Sequence, residues 1–171
     1  MTMHFMIRIL PILSMIGMLC THTPTVHALS MTPYSLSELW SESQLIVRGK
    51  VVKARPHRER GRIFTEFTLS PVGPLFKGEL SADQVIRFSL PGGQLDGLAQ
   101  RVPGIPTIYT GEELLLFLRC TSSTSCSPVG YGQGMWRPLK NSWEPLTRDV
   151  HWVGASSPLT IQSLERLTSP R

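Results

Sequence analysis

The chain has 171 residues, 17 basic against 12 acidic side chains, and a formal charge of +5. That length is one domain's worth of chain and buries a real core, so staples are helpful but not obligatory. The overall charge is only mildly basic.

Met1 to Arg8 carries one positive charge, and Ile9 to Cys20 is almost wholly apolar, interrupted by Pro11 and Ser14. Twelve residues are too short to span a bilayer, which takes about 20, but they suit the core of a secretory leader. Val26-His27-Ala28 supplies short side chains where a signal peptidase reads, so residues 1–28 are expected to be a signal peptide cleaved after Ala28. A lipid-modified Cys20 would instead give a tethered lipoprotein, but Met18 and Leu19 are bulky where such signals carry small residues. No second apolar run of that length follows, so no membrane span is expected. Residues 29–171 are expected to form a single secreted or periplasmic β-barrel domain with a loosely ordered C-terminal tail.

Ser35 with Glu38 three residues on satisfies a capping box, and a short helix follows with Leu36, Leu39 and Trp40 on its buried side. Gln44 to Arg55 reads as a long strand, with Gly49 as its bulge or point of sharp coil. Pro56 to Gly61 reads as a polar turn, and Ile63 to Val72 resumes strand alternation, giving a hairpin. Seven positive residues lie between Arg48 and Arg62, opposed only by Glu59. They mark either a basic contact surface or a hairpin charged against edge-to-edge pairing. Gln84 to Leu90 alternates again, with Ile86, Phe88 and Leu90 inward and Arg87 outward.

Pro91 to Glu112 holds five glycines and three prolines in 22 residues. Long ordered loops of this kind are often functional. Its apolar members Leu95, Leu98, Val102, Ile105 and Ile108 either form a binding surface or fold back to plug one end of the barrel. Leu114 to Leu118 is continuously apolar and suits a strand buried on both faces. Tyr131 to Leu139 reads as a fifth strand with bulges at Gly132 and Gly134. Leu159, Ile161, Leu164 and Leu167 are spaced for one face of a short final helix. Five short strands with no strand–helix–strand alternation predict a mainly β fold, a five-stranded antiparallel OB-like barrel with short flanking helices.

Cys120 and Cys126, so close in sequence in an exported chain, are expected to form a disulfide. Metal ligation is the alternative, but there is no CxxC and the only histidines after the leader are His57 and His151.

The order of Leu45-Ile46-Val47-Arg48-Gly49-Lys50-Val51-Val52, then Phe67 to Val72 with Leu75-Phe76-Lys77-Gly78, then Leu114 to Leu118, resembles the netrin-like family of OB-type barrels, which includes the tissue inhibitors of metalloproteinases. It is also similar to small secreted bacterial proteins sharing the Val-Arg-Gly-Lys-Val-Val strand, the Phe-Lys-Gly turn, a Pro-Gly-Gly stretch and a Gly-Glu-Glu before the apolar strand. The resemblance runs from about residue 45 to 138 and implies the architecture. It does not imply metalloproteinase inhibition. That activity uses an N-terminal cysteine, and the mature end here is expected at Leu29-Ser30.

No Gly-x-Ser-x-Gly elbow is present, and Glu112-Glu113 are adjacent residues whose side chains diverge on a strand, a poor acid and base pair. Gly130-Tyr131-Gly132-Gln133-Gly134 lacks the lysine and following helix of a phosphate loop. No cofactor and no metal are expected. OB-type barrels bind polymers on basic, aromatic-bearing faces, which here would carry Arg48, Lys50, Phe64 and Arg87. The expected function is an exported, non-enzymatic binding or interaction module. Its partner is a protein or polysaccharide of the cell envelope, and export makes nucleic acid an unsuitable one. The expected contact residues are Arg48, Lys50, Arg58, Arg60, Arg87, Leu98, Arg101 and Val102. A structural envelope protein and a secreted hydrolase are the alternatives.

Overall fold

The structure, a computed structural model, describes residues 33–81, 84–122, 125–140, 142–146 and 160–168, of which the side chains of residues 161, 165, 167 and 168 are not described. The expected leader with Cys20, the mature end, His151, Leu159 and the side chains of Ile161 and Leu167 lie outside these. The described residues belong to one compact unit.

Helix α1 (Leu36–Glu42) begins as its sequence predicts. The Ser35 hydroxyl accepts from the Glu38 N–H, and the Glu38 carboxylate accepts from the Ser35 N–H at 2.7 Å. The Ser35 N–H, and the Ser35 hydroxyl that also donates to this carboxylate, hold the Glu38 carboxyl below its ordinary pKa. Leu39 is fully buried on the inner side of the helix.

Among the described residues nine strands follow: β1 (Leu45–Glu59), β2 (Arg62–Pro71), β3 (Ile86–Pro91), β4 (Gly93–Leu95), β5 (Leu98–Gln100), β6 (Glu113–Cys120), β7 (Ser125–Pro128), β8 (Met135–Pro138) and β9 (Trp143–Pro145). Seven of them form one sheet in the order β1-β2-β3-β7-β6-β8-β9, and β1 pairs again with β6, which joins β1, β2, β3, β7 and β6 into a ring. The expectation of a mainly β fold holds, and its strand inventory is corrected. The five strands of the ring are not those expected, because β7, not the 131–139 segment, completes it. One ring pairing, β3 with β7, is parallel.

Serving two partners makes β1 coil. Residues 45–50 pair with β6 and residues 49–59 with β2, with a register shift between Val51 and Lys53. Gly49 sits where the two ladders overlap. A Cβ there would lie 2.6 Å from Leu69 Cδ2 and 2.7 Å from the Ser70 carbonyl oxygen, so the close strand crossing requires glycine.

The ring encloses a core of Leu45, Val47, Val51, Phe67, Leu69, Ile86, Phe88, Leu90, Leu114, Leu116, Leu118 and Met135. A second cluster of Leu39, Ile46, Leu115, Phe117, Val129, Trp136, Trp143 and Leu164 packs separately from it. The alternating residues of Leu114–Leu118 divide between the two clusters, which is why this strand is apolar without a break. Helix α2 (Ile161–Thr168) contributes Leu164 to the second cluster.

Two local expectations are revised. The stretch Pro56–Glu59 is strand, and only Arg60-Gly61 turns. Both have positive φ, 46° and 78°, as a two-residue hairpin turn of type I′ requires. Tyr131–Gly134 is a 3-10 turn rather than bulged strand, and β8 starts only at Met135. The turn follows from Gly130 and Tyr131, both left-handed, with φ 58° and 51°.

Candidate functional site

The Pro91–Glu112 segment is a strap tied down at both feet. At one foot the Gly92 N–H donates to the Ile63 carbonyl at 2.8 Å, and the Ile63 N–H donates to Gln100 Oε1 at 2.9 Å. Thr65 Oγ1 donates to the Gly92 carbonyl at 2.8 Å. Gly93, at φ 133°, lies so near that a Cβ would be 2.3 Å from Thr65 Oγ1. At the other foot the Gly111 N–H donates to the Val51 carbonyl and the Val51 N–H to the Glu112 carbonyl, both at 2.8 Å. Between the feet, β4 and β5 form a small hairpin turned by Asp96-Gly97, with φ 51° and 76°.

Both expectations for the strap have a share of it. Ile108 is buried in the ring core and Ile105 packs against it, so these two plug. Leu98, 56% exposed, and Tyr109, 64% exposed, face solvent. Between plug and hairpin lies a half-open cleft of about 460 Å³. Phe67, Leu90 and Ile108 supply apolar wall, while Ala99, Arg101 and Tyr109 stand on the strap. Among the described residues lining it, Arg101 alone is charged.

The expected contact residues divide among five places. Arg101 and Val102 line the cleft, whereas Leu98 is on the β4–β5 hairpin but not in the cleft lining. Arg58 and Arg60 are exposed at the tip of the β1–β2 hairpin. Lys50 and Arg87 are exposed on the opposite face of the sheet from the cleft: Lys50 lies across from Ser70, and Arg87 across from Thr68. Arg48 is engaged internally. Its Nε donates to the Glu113 carboxylate and its guanidinium lies 5.8 Å from the Trp143 ring centroid.

Sequence reading missed Thr65, Phe67 and Leu90 as cleft residues and Tyr109 as its rim. The first three were visible as inward strand positions, but nothing in their spacing showed where the strap would cross them. It also left Lys53 and Arg55 in a general basic cluster. The bulge resets the alternation after Val51, and from there Lys53 and Arg55 share a face with Thr68 and Glu66.

Cys120 and Cys126 form the expected disulfide, which joins directly opposed residues of β6 and β7. Among the described residues no group of three or more His, Cys, Asp or Glu is placed to hold a metal ion. No helix among them is long and apolar enough to cross a membrane. Comparison of the chain with known protein families, curated proteins and solved structures finds no match.

Proposed function

We propose that this protein is an exported, non-enzymatic binding module on an OB-type barrel of netrin-like kind, which holds its partner in the cleft beneath the strap. The ring order β1-β2-β3-β7-β6 with its single parallel pairing supports the OB-type reading. The apolar leader and the disulfide support export, since such bonds persist in oxidising compartments.

The cleft is the observation that carries the reading. Its volume falls within the range of about 300–1,000 Å³ typical of ligand sites, and it combines apolar wall with a few polar groups and one charge, as such sites do. Phe67, Leu90 and Ile105 suit an apolar side chain, and Arg101 at the strap suits a negative one beside it. An extended segment of an envelope protein with an acidic residue next to an apolar one has that chemistry.

The test uses 1-anilinonaphthalene-8-sulfonate, an apolar ring system with one negative charge, as a fluorescent probe of the cleft. Wild type is expected to bind it saturably. Ala99→Trp, which fills the cleft from the strap, should abolish binding, and Arg101→Gln should weaken it, both without lowering the thermal midpoint. Unchanged binding in Ala99→Trp would overturn the cleft as the site.

A further inference from the structure

The face of β1, β2 and β3 turned away from the cleft carries charge that the fold does not use. Strand register places the residues. Lys53 lies opposite Thr68, which lies opposite Arg87. Arg55 lies opposite Glu66 and then Ser89, His57 opposite Phe64, Glu59 opposite Arg62, and Lys50 opposite Ser70. Directly opposed residues of an antiparallel pair share a face. The side chains on the other face, Ala54, Thr65 and Phe67, belong to the cleft.

Five cations, Lys50, Lys53, Arg55, Arg62 and Arg87, therefore stand with three acids, Glu59, Glu66 and Glu113, the last already paired with Arg48. The ion pairs among the described residues are Arg48 with Glu113 and Arg119 with Glu42, so none of the five is engaged in one. Glu66 and Glu59 offset Arg55 and Arg62 from across the ladder and Glu113 stands opposite Lys50, which leaves Lys53 and Arg87 without a counter-charge opposite them.

We propose that this face binds an anionic polysaccharide. Lys53 and Arg87 are separated by two strand spacings, about 10 Å, and Lys53 and Arg55 by about 7 Å along β1. Such a grid meets repeated, separated charges along a chain. Between the cations Thr68, Ser70 and Ser89 offer hydroxyls. The His57 and Phe64 rings, stacked with centroids 6.1 Å apart and both half-exposed, give a flat surface for the C–H face of a sugar. Single-stranded nucleic acid would call for a series of stacking platforms along the path, and this face has the one.

The probe is immobilised polygalacturonate, with neutral dextran, phosphatidylglycerol vesicles and oligothymidylate as competitors, measured on the purified protein. Wild type binds polygalacturonate at low salt, loses it at high salt as screening sets in, and ignores dextran. The exposed substitutions Lys53→Gln, Arg55→Gln and Arg87→Gln together weaken binding about tenfold or more with an unchanged melting curve, while Glu66→Gln strengthens it. Ala99→Trp leaves it unaltered, which separates this face from the cleft. The proposal is overturned if the triple variant binds like wild type, or if vesicles or oligothymidylate compete better than free polygalacturonate.

Discussion

Arg48 is held on two sides, by the Glu113 carboxylate and by the Trp143 ring, whereas among the described residues Lys50 and Lys53 form no ion pair. By charge alone it is indistinguishable from Lys50. Position distinguishes them: both lie beside β6, but Arg48 reaches Trp143 of β9 and takes the Glu113 carboxylate, while Lys50 is exposed. The ion pair is about a third exposed on each side, 39% and 30%, so solvent screens most of its Coulomb energy. What remains is that residue plus the cation–ring contact and the packing of the aliphatic stem, together about 1 kcal/mol. Arg48→Ala should therefore lower the unfolding free energy measured in urea by that amount and leave probe binding at the cleft and polygalacturonate binding as in wild type. Loss of either with full stability would return Arg48 to the contact surface.

At the scale of elements, the strap separates stability from recognition within one segment. Ile108 is 7% exposed and packs in the ring core, so Ile108→Ser should cost about 3 kcal/mol in chemical denaturation, as large-to-small core changes do. Leu98→Ser should stay within about 0.5 kcal/mol of wild type, as surface changes away from special features do. Val102→Ser should weaken cleft binding more than it changes stability. If Leu98→Ser loses the probe and Val102→Ser keeps it, the contact lies on the outside of the β4–β5 hairpin instead. Glycine and proline marked this segment in the sequence, and its apolar residues drew attention to it. Which of them point inward was not legible, because a loop has no periodicity to read. Strands β1, β2, β3 and β6 were legible for the opposite reason. Each displays either alternation or a continuous apolar run, and Leu114–Leu118 is apolar throughout because each face of that strand meets its own core.

At the scale of the whole molecule, closure of the ring rests on its least conspicuous strand. Strand β7 is Ser-Cys-Ser-Pro, four residues with no pattern by which to recognise it, and its ladder with β3 comprises only the pairs Arg87 with Ser125 and Phe88 with Cys126. The disulfide was foreseen as a local staple, but the structure gives it a wider role. By fixing β7 to the end of β6 it holds the strand that spans the gap between β6 and β3, and Cys126 itself is part of the ring core. Closing so short a ring of residues restricts the unfolded chain by about 2 kcal/mol. Replacing both cysteines with serine, or reducing the bond, is accordingly expected to lower stability by about that much. Native-state hydrogen exchange should show where the loss falls. Amides of β7 and β3 should exchange faster, while those of β1 paired with β6 remain protected, because that ladder carries six register pairs of its own. A uniform rise in exchange across all five strands would mean that the bond stabilises the fold globally rather than at this seam. No change at all would mean that β7 is held by its backbone pairing with β6 alone.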